Sequence, residues 1–511
     1  MEDTKRTAHG THLSYWLDSS TGREFPPLTS DLDVEVLVVG GGIVGVTCAR
    51  LLADRGVEVA VMDMQRVAGG VTGFSTAKLS AAQGIVYREL RQKHGAETAS
   101  AYAAANQEAI EQIASWVETD GIECDFRRAA HVVYGTGPED ASQLQEETRA
   151  AEEAGLPAKF VTETELPFAV SGALRVPNQA QFHPVRYVDH LARDLANRGV
   201  AVHQQTRALS VDDGERIEVD TTGGTVRCRY LVLATNYPFL DRGFFFPRVH
   251  PTASYAITAT IGAAAAPEDM YISASSPTRS IRSIPTGDGT LLLVGGEGHH
   301  VGEKPATEEP YESLREWTAR HFGTNEITHM WSTHDGVPVD GIPYAGAIRP
   351  GSGRIFVATG FKKWGLTNGT AAAGVIADAI TGRTSRFASL YDPYRGNLKA
   401  AGKKFVSENV RVASRFFLDR LRHPQGGDFD DLAPGEAAVG GNPLSPTAAY
   451  RDDAGALHRV SATCTHMGCL VRWNSAERTW DCPCHGSRFD TTGDVLHGPA
   501  TRPLERRDAD D

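Results

Sequence analysis

Alternating apolar and polar stretches predict an α/β unit near the start of the chain. The run Val34–Val39 is almost wholly apolar and rich in β-branched residues, which is typical of a strand buried on both faces of a parallel sheet. A glycine-rich turn, a helix over Val44–Arg55 and a second strand over Val57–Met62 follow. This order predicts a Rossmann-like β-turn-α-β unit.

The pattern then changes to long amphipathic helices separated by short strands. Helices are predicted over 97–119 and 138–154, and strands over His131–Tyr134, Val211–Val219, Thr225–Ala234, Ala253–Ile261 and Arg354–Thr359. A helix of small residues is predicted over Thr367–Ile380. Runs of strands between helices predict an antiparallel-sheet lobe inserted into the α/β unit.

Changes in composition suggest four segments. We expect an N-terminal arm over 1–33, the α/β unit with its lobe over 34–400, a helical connector and linker over 401–427, and a small all-β domain over 428–511. The predicted helix at 403–422 is amphipathic and basic. Such a helix can lie on a membrane, but a connector packed between domains is the favoured interpretation.

Charge and hydropathy exclude several classes of function. The 511 residues include 51 Lys and Arg against 64 Asp and Glu, a net charge of −13, which argues against nucleic acid as a partner. No apolar run reaches the roughly 18 residues of a transmembrane helix. The N-terminus lacks the apolar core of a secretory signal, so we expect a cytoplasmic protein.

The first turn carries a dinucleotide-binding fingerprint. Gly40, Gly42 and Gly45 match the G-x-G-x-x-G pattern between a strand and a helix. In this pattern the glycines allow a tight turn, close approach of a pyrophosphate and close helix–strand packing. Asp63 stands at the end of the second strand, where an acidic residue binds a ribose hydroxyl.

Three further segments indicate the class of dinucleotide enzyme. Residues 69–78, 230–236 and 355–367 resemble the FAD-binding pattern of the D-amino-acid-oxidase-like flavoproteins, which include glycine and sarcosine oxidases. The resemblance runs from Val34 to Pro393 and implies FAD. No cysteine lies in the segment Trp331–Gly346, where some sarcosine oxidases attach the flavin, so non-covalent FAD is expected. Besides the three glycines and Asp63, the implied FAD contacts are Ile43, Val44, Met64, Thr72, Thr76, Ala77, Lys78, Ala208, Ala234, Thr235, Gly360, Trp364, Gly365, Leu366 and Thr367.

The catalytic residues are not assigned by this pattern. Amino-acid-oxidising members commonly place a Lys or Arg near the turn that here ends in Thr367, so ordinary α-amino acids are not the expected substrates. Lys78, Lys363 and Tyr255 are the candidates for catalysis. A surface role for the lysines and a core role for the tyrosine remain open.

The C-terminal domain carries a metal-ligand pattern. Four of the seven cysteines lie between 464 and 484, in the order C-x-H and then C-x-x-H. Cys464, His466, Cys482 and His485 could bind zinc, or a [2Fe–2S] cluster with two cysteines on one iron and two histidines on the other.

The two hexapeptides around these ligands resemble the Rieske pattern. The resemblance implies a cluster bound by the four ligands, a disulfide between Cys469 and Cys484, and a proline loop at 498–500 that covers the cluster. Ser487 matches the hydroxyl of high-potential Rieske proteins, whereas Phe489 replaces their tyrosine. We therefore expect a potential below that of the respiratory proteins.

The whole chain resembles FAD-dependent oxidoreductases with a C-terminal Rieske domain. FAD accepts electron pairs and the cluster accepts single electrons, so the combination predicts a dehydrogenase. We expect a small-molecule amine or other C–N substrate and a soluble electron-transfer protein as acceptor. The alternatives are a reductase that supplies a partner oxygenase and a redox carrier or sensor.

Overall fold

The computed structural model describes residues 6–7, 10–240, 242–304, 306–395, 409, 429–442 and 444–507. The connector helix predicted over 403–422 and the linker after it lie outside the described residues, apart from Asn409. Among the described helices, none is both long enough and apolar enough to cross a membrane.

The first sheet has eight strands and contains the parallel unit that the sequence predicts. In spatial order its strands are Ala208–Asp213, Ile217–Thr221, Thr225–Leu233, Leu32–Val39, Val59–Met62 and Ala201–His203, with Ile355–Thr359 beside Thr225–Leu233 and Tyr344–Ala347 beside Ile355–Thr359. Val36 and Val38 enter one apolar core, and Leu37 and Val39 enter another. The central strand is therefore buried on both faces, as predicted.

Three helices pack beside this sheet. They are Ile43–Ala53, Pro184–Asn197 and Gly365–Ile380, and the first contacts the other two. Parallel strands end at one edge of a sheet, where α/β proteins bind their ligands. The loops that follow Val39, Met62, Leu233 and Thr359 gather at this edge.

The second sheet has eleven strands and is mostly antiparallel, which confirms the predicted lobe. Its strands are Arg6–Thr7, Gly10–Thr11, Ile327–Pro338, Val249–Ile261, Gly289–His300, Arg279–Thr286, Met270–Ser273, Arg127–Gly135, Gly172–Gln181 and Lys78–Leu79, with Lys159–Val161 paired to Gly172–Gln181. The helices of this part are Tyr87–His94, Ala96–Thr119, Pro138–Glu153 and Glu309–Phe322, and the short helices Val71–Phe74, Ala263–Ala265 and Ala388–Tyr391 lie in loops.

The C-terminal part is built from two small antiparallel sheets, in agreement with the expected all-β domain. One has the strands Ala437–Asn442, Ser445–Arg451 and Leu457–Ser461, and the other has Arg472–Asn474, Thr479–Asp481, Arg488–Phe489 and Val495–His497. A short helical turn, Phe429–Asp431, precedes them. Trp480 and Phe489 are fully buried in the core between the sheets.

Two predictions need correction or detail. The single strand predicted over Val211–Val219 is wrong, because residues 214–216 form the turn between two antiparallel strands. The N-terminal arm, expected to be irregular, contains the helix Tyr15–Asp18. Trp16 anchors this helix, since its indole N–H donates to the Ser75 carbonyl over 2.8 Å and its ring packs under the Arg282 guanidinium.

Candidate cofactor sites

A cavity opens at the carboxyl edge of the parallel sheet and extends to the antiparallel lobe. Sixteen of the predicted FAD contacts line it. They are Gly40, Gly42, Ile43, Val44, Asp63, Met64, Thr72, Thr76, Ala77, Lys78, Ala208, Ala234, Thr235, Trp364, Gly365 and Leu366. The cavity therefore joins the three segments on which the FAD resemblance rests.

The glycine turn at one end of this cavity requires its glycines. Gly40 has a φ of +110°, and a Cβ there would lie 2.4 Å from the Ala234 carbonyl oxygen. A Cβ on Gly45 would lie 1.9 Å from the Gly40 carbonyl oxygen. Close helix–strand packing thus explains Gly45, which does not line the cavity. The helix N-terminus beyond the turn faces the cavity and favours an anion.

Asp63 lies where the sequence places the ribose-binding residue. Its carboxylate accepts hydrogen bonds from the Gly41 N–H over 2.7 Å and from the Gln65 N–H over 2.8 Å. Burial raises the pKa of this carboxyl group, and the two hydrogen bonds partly offset that rise. The carboxylate therefore fixes the turn as well as facing the cavity.

Gly360 and Thr367 do not line the cavity either. Gly360 has a φ of +79° and packs beside Pro338. The Thr367 hydroxyl is buried and donates to the Asn106 side-chain carbonyl over 2.7 Å. Both residues support the helix start at Gly365, and direct FAD contact by either stays a prediction.

The three catalytic candidates gather at the other end of the cavity. Lys78 is buried, and its ammonium group donates to the Tyr271 carbonyl. Burial lowers the pKa of Lys78 well below its ordinary value, and the nearby Arg282 lowers it further. The Lys363 side chain is exposed and lines the cavity. Burial lowers the pKa of Lys363, and the Asp335 carboxylate partly restores it.

Tyr255 forms a wall of the same end. Its ring stacks on His299, with 5.5 Å between ring centres and 17° between planes, and meets Tyr311 edge-on at 5.0 Å. Tyr255 also lines a second cavity between the lobe and the C-terminal domain. The tyrosine is thus a partition between the two cavities as well as a core residue.

These residues fit FAD. The chain offers a turn in which a Cβ would collide, a helix N-terminus for the pyrophosphate and a carboxylate for the ribose. The helix that begins at Gly365 has its N-terminus at the cavity, where its dipole would stabilise negative charge on a reduced flavin.

The C-terminal domain brings the four predicted metal ligands together. Cys464 and Cys482 are unbridged and buried, and a hydrogen bond between the two thiols lowers the pKa of Cys464 while that of Cys482 is raised. The His466 and His485 ring centres lie 5.0 Å apart. Burial lowers the pKa of His466 to about 4 and that of His485 to about 3, so both imidazoles are neutral at physiological pH.

The ligand set fits a [2Fe–2S] cluster. His466 Nδ1 and both ring nitrogens of His485 are buried without a hydrogen-bond partner. One such nitrogen on each histidine is what metal coordination requires. The remaining cysteines, Cys469 and Cys484, form the disulfide implied by the resemblance, with an S–S distance of 2.02 Å. Cys482 Sγ lies within 4.8 Å of both bridged sulfurs, so the disulfide borders the cluster site.

Residues around the cluster site also follow the implied pattern. The Ala500 N–H donates to the Ser487 hydroxyl over 3.0 Å, and that hydroxyl hydrogen-bonds to Cys464. The proline loop therefore covers the cluster site, with Ser487 beneath it. Phe489 is buried and offers no hydroxyl.

The two sites meet at an interface that the sequence analysis does not anticipate. Tyr237 lines the FAD cavity, and its ring centre lies 5.6 Å from that of His485. Phe246 packs edge-on against the same histidine at 6.1 Å. His334, on a strand of the lobe, lies 3.1 Å through its Nδ1 from the Gly486 carbonyl oxygen. His485 is consequently 3% exposed, whereas Met467, next to His466, is 39% exposed.

The C-terminal domain also supplies part of the FAD cavity wall. Residues 496–501 line the cavity on the side of Met64 and Asn236. No local signal in the sequence indicates this, because the contacts join distant residues, 261 positions apart for Asn236 and His497 and 431 for Gln65 and Leu496.

Comparison with known proteins agrees with this geometry. Residues 35–379 match the family model of FAD dependent oxidoreductases, which is more than half of the chain. The chain belongs to the FAD-dependent oxidoreductase family. Residues 426–507 match the model of the Rieske [2Fe-2S] domain. FAD and a Rieske cluster are therefore its cofactors, and the match excludes the zinc interpretation.

One curated relative is similar to nearly the whole chain, and another is similar to its C-terminal part. The Rieske 2Fe-2S iron-sulfur protein YhfW of Bacillus subtilis is 34% identical over 499 residues, covering 97% of this chain and 98% of that protein. The cytochrome b6-f complex iron-sulfur subunit of Chlorobaculum thiosulfatiphilum is 38% identical over 86 residues, 16% of this chain and 48% of that protein.

Solved structures resemble the FAD part of the fold. L-proline dehydrogenase from P. horikoshii superposes with a TM-score of 0.60 at 20% identity, covering 73% of this chain and 98% of that one. Glycine oxidase from Geobacillus kaustophilus superposes with a TM-score of 0.60 at 20% identity, covering 71% and 99%. At this identity the likeness establishes the fold and leaves the substrate open.

Proposed function

We propose that the protein dehydrogenates a small amine, or another substrate with an oxidisable C–N bond, and passes the electrons through its Rieske cluster to a soluble electron-transfer protein. FAD supplies hydride acceptance, and the cluster supplies one-electron transfer. The contact between Tyr237 and His485 carries the proposal. A single side chain lies between the FAD cavity and a cluster ligand, with ring centres 5.6 Å apart.

The environments of the two cluster histidines support this direction of flow. His485 is buried against Tyr237 and Phe246 of the FAD domain. His466 is half-buried and lies beside the exposed Met467. One ligand therefore faces the FAD cavity, and the other lies near the surface that an external acceptor can reach.

The catalytic candidates support an amine substrate. An amine must be neutral to give up hydride, so a protonated substrate needs a proton acceptor. Burial lowers the pKa of Lys78, which makes its neutral amine available for this role. Lys363, paired with Asp335 across the cavity, is placed to bind an anionic substituent of the substrate. Tyr255 closes the pocket against the second cavity.

The reductase alternative needs a site for a nicotinamide nucleotide, and the strand–glycine–helix segment that begins at Gly135 does not offer one. The strand Arg127–Gly135 leads into the helix Pro138–Glu153. The Asp140 carboxylate occupies the helix N-terminus, since it accepts from the Thr136 N–H over 2.9 Å and the Gly137 N–H over 2.8 Å. A phosphate would be repelled there.

The carrier or sensor alternative is also less well supported, because such a protein has no need of a substrate pocket. The buried Lys78 and the exposed Lys363, which both line this cavity, give it a binding chemistry of its own. The cytoplasmic location, the four domain bounds and the lowered cluster potential stay predictions.

The test is anaerobic reduction of the purified protein. We would add primary, secondary and N-methyl amines, NADH and NADPH separately, following flavin bleaching by absorbance and the reduced cluster by EPR. We expect an amine to bleach the flavin, with the Rieske signal appearing afterwards. Reduction by NADPH alone, or by none of these compounds, would refute the proposal.

A matched variant separates the dehydrogenase from an oxidase. Cys482→Ser removes a cluster ligand, and Cys482 itself does not line the FAD cavity. The variant should still be bleached by the amine but should lose turnover with an artificial one-electron acceptor. If its turnover with O₂ equals that of the wild type and exceeds turnover with the acceptor, the protein is an oxidase and the cluster is not on the path.

A further inference from the structure

Residues 496–501, which we name the shared loop, lie between the two cofactor sites. One side of the loop lines the FAD cavity. On its other side, the Ala500 N–H donates to the Ser487 hydroxyl, which is hydrogen-bonded to the cluster ligand Cys464. A single short segment thus contacts both sites, although it belongs to the Rieske domain.

The FAD domain holds the loop in this position through its own cavity residues. The Gln65 side-chain amide donates to the Leu496 carbonyl over 3.0 Å, and the Arg207 guanidinium donates to the Val495 carbonyl over 3.2 Å. Met64 packs against the apolar core of the Rieske domain. These contacts place the loop beside Asp63, because Gln65 also donates its backbone N–H to that carboxylate.

His497 and Thr501 are the polar side chains that the loop brings to the cavity. His497 is half-buried, and its Nε2 lies 3.4 Å from the Asn236 side-chain nitrogen. Asn236 also donates to the His334 carbonyl, so it is fixed in orientation. With Nε2 accepting from Asn236, the proton of the neutral ring sits on Nδ1, which leaves that nitrogen as a donor.

The loop therefore lies over one particular half of the FAD site. Two residues beside the loop show this. Met64 directly follows the ribose-binding Asp63, and Asn236 follows the strand end at Ala234 that packs on Gly40. Its hydrogen bonds involve none of the flavin-end residues Lys78, Tyr255 and Lys363. The position matches the adenosine diphosphate half.

We propose that the shared loop is part of the FAD-binding site, that His497 binds the adenosine diphosphate half of FAD, and that FAD binding and the cluster are thereby coupled. The coupling is reciprocal, because any change that FAD imposes on the loop must be matched by an effect of the loop on FAD affinity. The proposal holds for either direction of electron flow.

The test measures binding in the oxidised protein without substrate, so its failure is separate from failure of the dehydrogenase proposal. Dissociation constants for FAD, and for ADP as a competitor that lacks the flavin, would be compared between the wild type and His497→Ala. Loss of one hydrogen bond in the site should weaken both ligands roughly five- to tenfold. His458→Ala is the matched control, because His458 pairs with Asp452 away from the cavity and should change neither constant.

The cluster supplies the second readout. Removing FAD from the wild type should shift the EPR g-values of the reduced cluster, and the shift should be smaller in His497→Ala. FAD affinity within twofold of wild type would overturn the proposal, as would weakened FAD with unchanged ADP, or a cluster spectrum indifferent to FAD. A second variant, His497→Asn, replaces His497→Ala if the alanine variant does not retain its cluster, because asparagine keeps a hydrogen-bonding side chain. Dissociation constants for FAD and ADP near those of the wild type would then support the proposal. A loss of affinity as large as that of a cluster-free protein would contradict it.

Discussion

The disulfide that borders the cluster should stabilise the Rieske domain strongly. Cys469 and Cys484 are separated by 15 positions, and each stands in a loop that carries two cluster ligands. In the chain-entropy account, closing a loop of this length stabilises the folded domain by about 3 kcal/mol. The double substitution Cys469→Ser and Cys484→Ser should therefore lower the stability of the domain by about that amount.

Cluster loss is irreversible, so the assay is a rate. The decay of the cluster's visible absorbance would be followed in moderate guanidinium, together with flavin fluorescence from the other domain. If the cluster escapes from an unfolded domain, about 3 kcal/mol corresponds to roughly a hundredfold faster decay. Flavin release should accelerate less, because the disulfide constrains only the Rieske domain.

A reductant provides the internal control. A phosphine that reduces disulfides should bring the wild type to the decay rate of the double variant and should leave the variant unchanged. Equal decay rates for oxidised wild type and variant would show that the disulfide does not stabilise the cluster loops, and would refute the reasoning from loop length.

Three further substitutions test the FAD site, the domain interface and a helix beside the parallel sheet. Gly45→Ala places a Cβ 1.9 Å from the Gly40 carbonyl oxygen, so the purified protein should lose at least tenfold in FAD affinity. The control Gly374→Ala has no atom within 4 Å of the added Cβ and should keep its flavin. Equal flavin content in the two variants would contradict this reasoning. Tyr237→Ala should leave amine-dependent flavin bleaching unchanged but delay the Rieske EPR signal, and an undelayed signal would exclude this route. Burial lowers the pKa of His183, the N-cap of Pro184–Asn197, from 6.5 to about 3. As the pH falls, the unfolded chain therefore binds a proton at this histidine before the folded protein does. The free energy of unfolding should fall by about 2 kcal/mol between pH 6.5 and 5. His183→Gln should show a shallower fall in urea unfolding, and an equal slope would assign the loss to other groups.

The parts of the molecule that could be predicted from sequence are those set by local contacts. The turn at Gly40 is encoded locally, because a strand, three glycines and a helix lie in one stretch of chain. The cluster ligands are equally local, since two short loops hold all four. The predicted strand over 211–219 failed because an alternating pattern continues through the turn at 214–216 and hides it.

The parts that could not be predicted depend on how distant segments pack. Thr367 stands at a helix start in the sequence, yet its hydroxyl turns to Asn106, a partner 261 positions away. Lys362 and Lys363 adopt positive φ values of +48° and +70° without a glycine to indicate it. The wall that the Rieske domain gives to the FAD cavity follows from docking two domains, for which sequence periodicity has no signal.

Domain docking also bears on the path of electrons through the cluster. A terminal acceptor needs only one approach to its cluster, and a relay needs two. Here His485 is enclosed by Tyr237 and Phe246, while His466 is half-buried beside the exposed Met467. Because FAD takes up two electrons with a hydride and the cluster accepts one at a time, the second electron must stay on the flavin until the first has left the cluster. Enclosure of one histidine on the FAD side and access beside the other are the arrangement that the proposed relay needs.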